Sequence, residues 1–119
     1  KVKKIGFYNG NIGDLYSSTK VIIIPILEGS GLSIKTMEAM AFGKPIVTTP
    51  KGARGMNIDA NPFIIIDMKK DPESFATAIL SLLNSPEKRK NLGEKAFDQF
   101  TKEHSFAVYS QRMDRFLGV

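Results

Sequence analysis

The sequence contains no cysteine, and it has a single histidine among 119 residues. Without cysteine the chain cannot build a zinc finger, a thioredoxin-type dithiol or a cysteine nucleophile. His104 has no partner that would form a nucleophile–histidine arrangement, so we predict a structural role for it. The acidic residues lack the spacing of metal ligands, and we expect neither a metal site nor a cofactor. The absence of cysteine fits a reducing compartment, and we expect a cytoplasmic protein.

Long apolar runs are also missing. The longest, residues 21–27, is far shorter than the ~20 residues that span a bilayer, and the basic first residues lead into no signal-like apolar segment. We therefore expect no transmembrane segment. The sequence has no initiating methionine and opens on a strand pattern, which indicates a piece of a longer protein.

The composition, with 42% hydrophobic and 24% charged residues, predicts one globular domain over residues 1–119. The net charge is +5, but lysines and arginines alternate with acids, which favours solvated helix faces over a nucleic-acid interface. We therefore predict no nucleic-acid partner. The charge leaves peripheral association of a longer parent protein with an anionic membrane open.

Strand and helix patterns alternate along the chain. The predicted strands are residues 4–8, 21–27, 45–49 and 63–66. The predicted helices begin after Asn11, Asp71, Ser85 and Ser105, and a further helix over 32–42 is capped by Gly43. This order predicts an α/β fold, an open parallel Rossmann-like sheet flanked by helices, with a helical tail. Residues 21–27 show no polar alternation, so we expect that strand to be buried on both faces and to end at Pro25.

The segment that follows this strand is the best candidate for a site, because ligands of open parallel sheets bind beyond the carboxyl ends of the strands. It begins with Glu28 and continues as Gly29, Ser30 and Gly31. Glycines allow close approach of a ligand, and the amides that open the next helix suit a phosphate. Taken alone, the loop is also compatible with an ordinary tight turn.

Glu38 lies in the following helix. We expect Ile34, Met37 and Ala41 to face the sheet and Glu38 to lie on that face. Because a buried carboxylate without partners costs several kcal/mol, Glu38 either forms an ion pair with a lysine such as Lys35 or accepts hydrogen bonds from a polar ligand such as a sugar.

Residues 29–49, GSGLSIKTMEAMAFGKPIVTT, resemble the donor-site signature of retaining glycosyltransferases of family 4, which have the GT-B fold. Flanking segments extend the resemblance over essentially the whole chain: residues 5–7 (IGF), 14–16 (DLY), 21–25 (VIIIP), 51–56 (KGARGM) and 104–106 (HSF). The resemblance implies that the chain is the nucleotide-sugar-binding part of the carboxy-terminal GT-B domain.

The implied activity is transfer of a sugar, of the hexosyl type, from a nucleoside-diphosphate sugar to an acceptor with retention, as in polysaccharide biosynthesis. In this resemblance the amides of residues 29–32, ending at Leu32, hold the diphosphate, and Glu38 accepts from the ribose hydroxyls. Lys35 either reaches the diphosphate or is a solvated helix lysine. Tyr8 and Asn9 border the nucleobase. Lys51 and Arg54 follow a strand end, and plain surface charge is favoured for both.

The sequence departs from the family pattern, which has two glutamates with seven residues between them. Here nine residues separate Glu28 from Glu38, and an ungapped match places Ser30 at the first position. Either the loop is longer and Glu28, the candidate catalytic residue, still reaches the sugar, or Ser30 and backbone amides replace it. The second alternative is favoured.

The family takes its sugar or lipid-linked acceptor in an amino-terminal domain that this sequence does not contain. We therefore expect the isolated chain to bind donor weakly, to be inactive, and to dimerise through an uncovered first strand. Two other functions remain open: a nucleotide-sugar epimerase of the same fold, and a non-enzymatic α/β binding or regulatory module of the response-regulator kind. A response-regulator module would need an acidic pocket at the strand ends and a following lysine. Asp67 is a lone acid after a strand, which disfavours this function.

Overall fold

The computed structural model describes residues 10–29 and 33–103. Within them lie four helices, α1 (Ile12–Ser17), α2 (Ile34–Ala41), α3 (Pro72–Leu83) and α4 (Pro86–Glu103), and three strands, β1 (Ile22–Ile24), β2 (Ile46–Thr48) and β3 (Ile64–Ile65). The predicted strand over residues 4–8 and the predicted helix after Ser105 lie outside this part of the chain.

The strands form one parallel sheet in the order β1-β2-β3. Ile22 pairs with Ile46 at the amino end of β2, and Thr48 pairs with Ile65 at its carboxyl end. Helix α2 connects the two parallel strands β1 and β2, as parallel pairing requires. The predicted α/β class, a small open parallel sheet flanked by helices, is confirmed.

Helices cover both faces of the sheet. On one face, Ile24 and Ile46 pack in a cluster that includes Met40 of α2 and Ala96 of α4. On the other face, Val47 packs against side chains of α3, namely Phe75 and Leu82. Alternate residues of β2 therefore serve two separate clusters, and all three residues of this strand are buried.

The prediction that the first long apolar strand is buried on both faces is wrong for β1. Ile24 is 5% exposed, but Ile23 is 36% exposed. Ile23 pairs with Val47, on the face that α3 covers, yet it lies outside the cluster formed by α3. Among the described strands, β1 pairs only with β2. The strand ends at Ile24, directly before Pro25, as predicted.

The predicted inward face of α2 is wrong at Ile34, which is 77% exposed. Met37 packs against the core cluster, as predicted, and the buried side chains are Thr36, Ala39 and Met40. The physical reason is a polar contact: the Thr36 hydroxyl donates to the Gly52 carbonyl at 2.9 Å, so threonine enters the core while isoleucine faces outward. The spacing of hydrophobic residues could not predict this hydrogen bond, because its acceptor lies 16 residues later in the sequence.

The end of α2 follows the prediction that Gly43 caps it. Gly43 has φ +66°, its N–H donates to Met40, and the N–H of Lys44 donates to Ala39, which is the Schellman pattern. Helix α4 crosses this turn at Gly93, where a Cβ atom would lie 2.2 Å from the Gly43 carbonyl oxygen. Glycine at position 93 is therefore required by a close approach of two backbones.

Two predicted helix starts are confirmed by their caps. The N–H of Asp14 donates to Asn11 Oδ1 at 3.2 Å, and the N–H of Ser74 donates to Asp71 Oδ1 at 3.1 Å. The Ser74 hydroxyl also donates to Asp71, and these hydrogen bonds lower the pKa of the Asp71 carboxyl. In the described part of the chain, no helix has both the length and the apolar character needed to cross a membrane.

Candidate functional site

The candidate site lies at the carboxyl end of the sheet, which we define as the segment after β1, the loop of residues 49–56 after β2, and the first turns of α2. Sequence position places Glu28 and Gly29 in the first of these segments. Both residues are exposed. Because the strands are parallel, the three segments lie together at the carboxyl ends of the strands, where open α/β folds bind their ligands.

Two buried threonines at the end of β2 hold the segment after β1 in place. The Thr48 hydroxyl donates to the Ile24 carbonyl at 3.0 Å, and the Thr49 hydroxyl donates to the Ile26 carbonyl. Pro25 cannot donate to a strand ladder, so these hydroxyls take over where regular pairing stops. The chain that leads into the glycine-rich loop is therefore fixed by side chains of the neighbouring strand.

Gly52 joins the same network from the loop. Its N–H donates to Thr49 Oγ1 at 3.2 Å, and its carbonyl accepts from Thr36 of α2. A Cβ atom at position 52 would lie 1.9 Å from Thr48 Oγ1, so only glycine fits. The loop, both strand ends and the first turn of α2 therefore form one hydrogen-bonded unit.

Arg54 extends from this unit toward the glycine-rich loop. Its Nη1 donates to the Gly29 carbonyl oxygen at 3.5 Å. Gly29 has φ +117°, a conformation that favours glycine, and a Cβ atom there would meet nothing within 4 Å. The sequence favoured plain surface charge for Arg54 and Lys51. Both are exposed, but the structure brings Arg54 to the candidate site.

Glu38 is half-buried, and its partner is a tyrosine rather than the lysine of the ion-pair alternative. The Tyr16 hydroxyl donates to Glu38 Oε1 at 2.9 Å. The Tyr16 ring stacks on Phe42, with ring centroids 4.5 Å apart and an angle of 8° between the planes. Burial of Tyr16, together with its contact to the Glu38 carboxylate, raises the pKa of the Tyr16 phenol well above its usual range.

This arrangement orients the Glu38 carboxylate. Tyr16 is 9% exposed and belongs to the core cluster, so it has little freedom to move. It engages one carboxylate oxygen, Oε1, while Oε2 has no hydrogen-bond partner among residues 10–29 and 33–103. A carboxylate has about four acceptor positions, so Glu38 retains the capacity to accept from a ligand.

The other predicted site residues divide into two groups. Glu28 and Lys35 are exposed, and neither side chain has a hydrogen-bond partner in the described part of the chain. The rest lie outside the described residues: Tyr8, Asn9, Ser30, Gly31 and Leu32. The functional roles assigned to both groups stay predictions. His104, for which we predict a structural role, also lies outside the described residues. No group of acidic or histidine side chains in residues 10–29 and 33–103 has the arrangement of a metal site.

Sequence reasoning missed the threonine network and Tyr16. The available signal was the pair Thr48-Thr49 at the end of a buried strand, where polar residues need buried partners.

Asp67 has a local role in the described chain. Its Oδ1 accepts from the N–H groups of Lys69 and Lys70, at 3.1 and 3.3 Å, and thus stabilises the turn before α3.

Comparison with known proteins agrees with the resemblance seen in the sequence. The chain is 35% identical over 86 residues to spore coat protein SA of Bacillus subtilis, which covers 71% of this chain and 22% of that protein. It is 28% identical over 92 residues to D-inositol 3-phosphate glycosyltransferase of Corynebacterium kroppenstedtii, covering 77% of this chain and 20% of that enzyme.

A third relative is an uncharacterized glycosyltransferase of Methanocaldococcus jannaschii, 29% identical over 85 residues, covering 71% of this chain and 24% of that protein. The matched part of the chain thus spans less than a quarter of the length of each curated relative. No solved structure matches the chain significantly. The family model for glycosyl transferases group 1 matches residues 1–85, well over half of the sequence. The chain therefore belongs to the glycosyl transferases group 1 family.

Proposed function

We propose that this chain binds the nucleoside-diphosphate sugar of a glycosyltransferase at the carboxyl end of its sheet. The observation that carries the proposal is the Glu38 carboxylate, which Tyr16 holds through one oxygen at 2.9 Å. The other oxygen remains available, and a fixed carboxylate is a natural acceptor for the vicinal hydroxyls of a ribose. Glu38 lies in the helix that follows the glycine-rich loop, so one element serves both parts of the donor.

The diphosphate would lie at the start of α2, on the amides of residues 29–32. Backbone N–H groups at a helix start, and the positive end of the helix dipole, favour a phosphate group. Arg54 adds a charged donor beside Gly29, because one nitrogen already contacts the Gly29 carbonyl and the other guanidinium N–H groups remain. Lys35 in the first turn is a second candidate cation.

Tyr16 acts as a positioning residue in this proposal. Its stacking on Phe42 fixes the ring, and its hydroxyl fixes the rotamer of Glu38. A preoriented carboxylate binds a ligand more tightly because less side-chain freedom is lost on binding. Replacing Tyr16 with phenylalanine keeps the ring and removes only the hydroxyl, so this variant isolates the positioning role.

The complete reaction would be hexosyl transfer with retention, in the cytoplasm, to a sugar or lipid-linked acceptor. The protein contributes positioning and stabilisation of the departing diphosphate, which suits a loop of amides with nearby cations. Because the chain spans less than a quarter of each curated relative, we propose that acceptor contacts come from other parts of a longer protein. The 119-residue chain alone should then show no transfer; sugar transfer catalysed by it would refute this part of the proposal.

Donor binding can be tested by titrating the chain with uridine, guanosine and adenosine diphosphates while recording amide chemical shifts. We expect one nucleotide to shift the amides of Gly29, Ser33 and Gly52. The Arg54→Ala variant should bind this nucleotide more weakly, whereas the Lys51→Ala variant, which loses an exposed charge from the same loop, should bind it nearly as the unmodified chain does. Shifts that are absent with every nucleotide would contradict the proposal.

A further inference from the structure

The amino ends of the strands, opposite the proposed donor site, border a groove that this site does not use. It lies at the amino end of the sheet, which we define by Lys20 before β1 and by Gly43 and Lys44 before β2. Arg89 and Lys90 of α4 form its other wall. The groove has a volume of about 290 Å³, which is room for a phosphate group with its waters.

The groove is strongly and uniformly charged. Four of its lining residues are basic, Lys20, Lys44, Arg89 and Lys90, and none of the lining residues is acidic. Within residues 10–29 and 33–103, no hydrogen bond joins any of these four side chains to a carboxylate. Clustered charges of one sign, on walls of low dielectric constant, produce a local potential that attracts an anion.

One of the four cations, Arg89, is held in place by hydrogen bonds, and a second, Lys44, follows a fixed turn of the backbone. Arg89 Nη1 donates to the carbonyl oxygens of Leu82 and Leu83, both at 2.8 Å, so the guanidinium is fixed while its remaining N–H groups stay available. Lys44 is half-buried and follows the Schellman turn at Gly43. The contact of Gly93 with that turn brings the basic start of α4 to the groove.

We propose that this groove is a second binding site, specific for a phosphate group, whether it belongs to a soluble phosphorylated molecule or to a lipid headgroup. A planar, fixed guanidinium beside several ammonium groups is suited to phosphate oxygens. The site lies at the opposite ends of the strands from the proposed donor site, so the two can be occupied separately.

The test is a titration of the chain with inorganic phosphate and with pyrophosphate, followed by amide chemical shifts. We expect saturable shifts at Lys44 and Arg89. Shifts confined to Gly29 and Ser33 would instead report anion binding at the proposed donor loop and would overturn the groove site. If no nucleotide binds the chain but phosphate still shifts the amides of Lys44 and Arg89, only the proposed function is overturned.

A charge-matched pair of variants defines the contribution of the groove. The first variant replaces the three groove lysines with alanine: Lys20→Ala, Lys44→Ala and Lys90→Ala. It keeps Arg89, because Arg89 also supports the end of α3. The control replaces three exposed lysines outside the groove: Lys69→Ala, Lys70→Ala and Lys95→Ala. Since single exposed charge contacts are modest, three together should raise the phosphate dissociation constant about tenfold. The control should change it less than about twofold, which corresponds to screened long-range charge. Equal effects of the two triple variants would overturn the proposal.

Vesicles distinguish the source of the phosphate. Sedimentation with phosphatidylglycerol vesicles that depends on the groove lysines would assign the site to lipid headgroups, and phosphate binding without such sedimentation would assign it to soluble ligands; both outcomes support the site. Sedimentation with neutral phosphatidylcholine vesicles that the groove variant does not weaken, combined with no phosphate shifts, would overturn it.

Discussion

The two ends of the sheet are built in different ways. At the carboxyl end, hydroxyls of the buried residues Thr36, Thr48 and Thr49 donate to main-chain carbonyls of two segments, the end of β1 with the residues after it and the loop after β2. Gly52 leaves no space for a side chain there. At the amino end, four basic residues line an open groove. Buried hydrogen bonds organise the carboxyl end, and exposed or half-buried charges line the amino end.

The difference has a physical consequence. Buried hydrogen bonds are lost at high cost when one partner is removed, because the remaining group is left unsatisfied, whereas an exposed charge is stabilised by water. Mutations at the carboxyl end should therefore change both stability and nucleotide binding. Mutations at the amino end should change anion binding with little effect on the fold.

The largest effect is expected from Gly52→Ala. The added methyl group would lie 1.9 Å from Thr48 Oγ1, and it must displace this buried hydroxyl from the Ile24 carbonyl. We expect a loss of about 3 kcal/mol in the free energy of unfolding, measured in urea. The variant Gly29→Ala, which meets no neighbour but has an unfavourable φ, should lose clearly less. Equal losses would show that the carboxyl end is not tightly packed at Gly52.

Thr36→Val tests a single hydrogen bond of the same network. The substitution keeps the shape of the side chain and leaves the buried Gly52 carbonyl without its donor, so we expect a loss of about 2 kcal/mol. The matched control is Thr101→Val in α4, where the hydroxyl is exposed and donates to Phe97, and where the change should stay within about 0.5 kcal/mol. Similar values for both variants would remove the distinction between buried and exposed hydroxyls.

Tyr16→Phe should cost about 1.5 kcal/mol, because it removes a hydrogen bond to a half-buried carboxylate while keeping the stacked ring. The same variant should weaken nucleotide binding through the less ordered Glu38. A stability loss without any change in the dissociation constant would leave Tyr16 a purely structural residue.

The dependence on pH gives an independent check of the same contact. The folded-state pKa of Tyr16 is raised, so its contribution is complete below the unfolded value of about 10 and is lost as the pH rises through the folded value. The stability difference between the unmodified chain and Tyr16→Phe should be constant from pH 7 to about 9 and shrink above about 10. A difference that grows with pH in this range would have the wrong sign.

The smallest effect is expected at the amino end. Removing Lys20, Lys44 and Lys90 together takes away like charges that repel one another, so the free energy of unfolding should change by less than about 0.5 kcal/mol per residue, or rise slightly. Urea unfolding at low salt would measure it. A large loss would mean that these lysines support the fold rather than bind an anion.

Local signals in the sequence predicted most elements of this fold. Asn11 and Asp71 cap helices, Gly43 ends one, and Pro25 ends β1, each because its chemistry decides a backbone conformation within a few residues. Side-chain direction was less predictable. Ile34 is exposed because Thr36 finds its partner in Gly52, a residue 16 positions later in the sequence.

The candidate site shows the same limit. The segment around Gly29 and the helix with Glu38 were identified from residue types and from the resemblance, and the comparisons confirm the glycosyltransferase family. The partner of Glu38 was not predicted, since Tyr16 lies 22 residues earlier and approaches only through packing of α1 against α2. Long-range pairing of this kind depends on the complete fold rather than on spacing.

The most direct test of the proposed function is the dissociation constant of the bound nucleoside diphosphate for Glu38→Ala, measured by titration of the chain beside Glu94→Ala, which removes an exposed acid from α4. Loss of hydrogen bonds to a charged acceptor should raise the constant about tenfold or more for Glu38→Ala, with little change for Glu94→Ala. An equal, unchanged constant for both variants would contradict the assignment of Glu38 as the ribose acceptor.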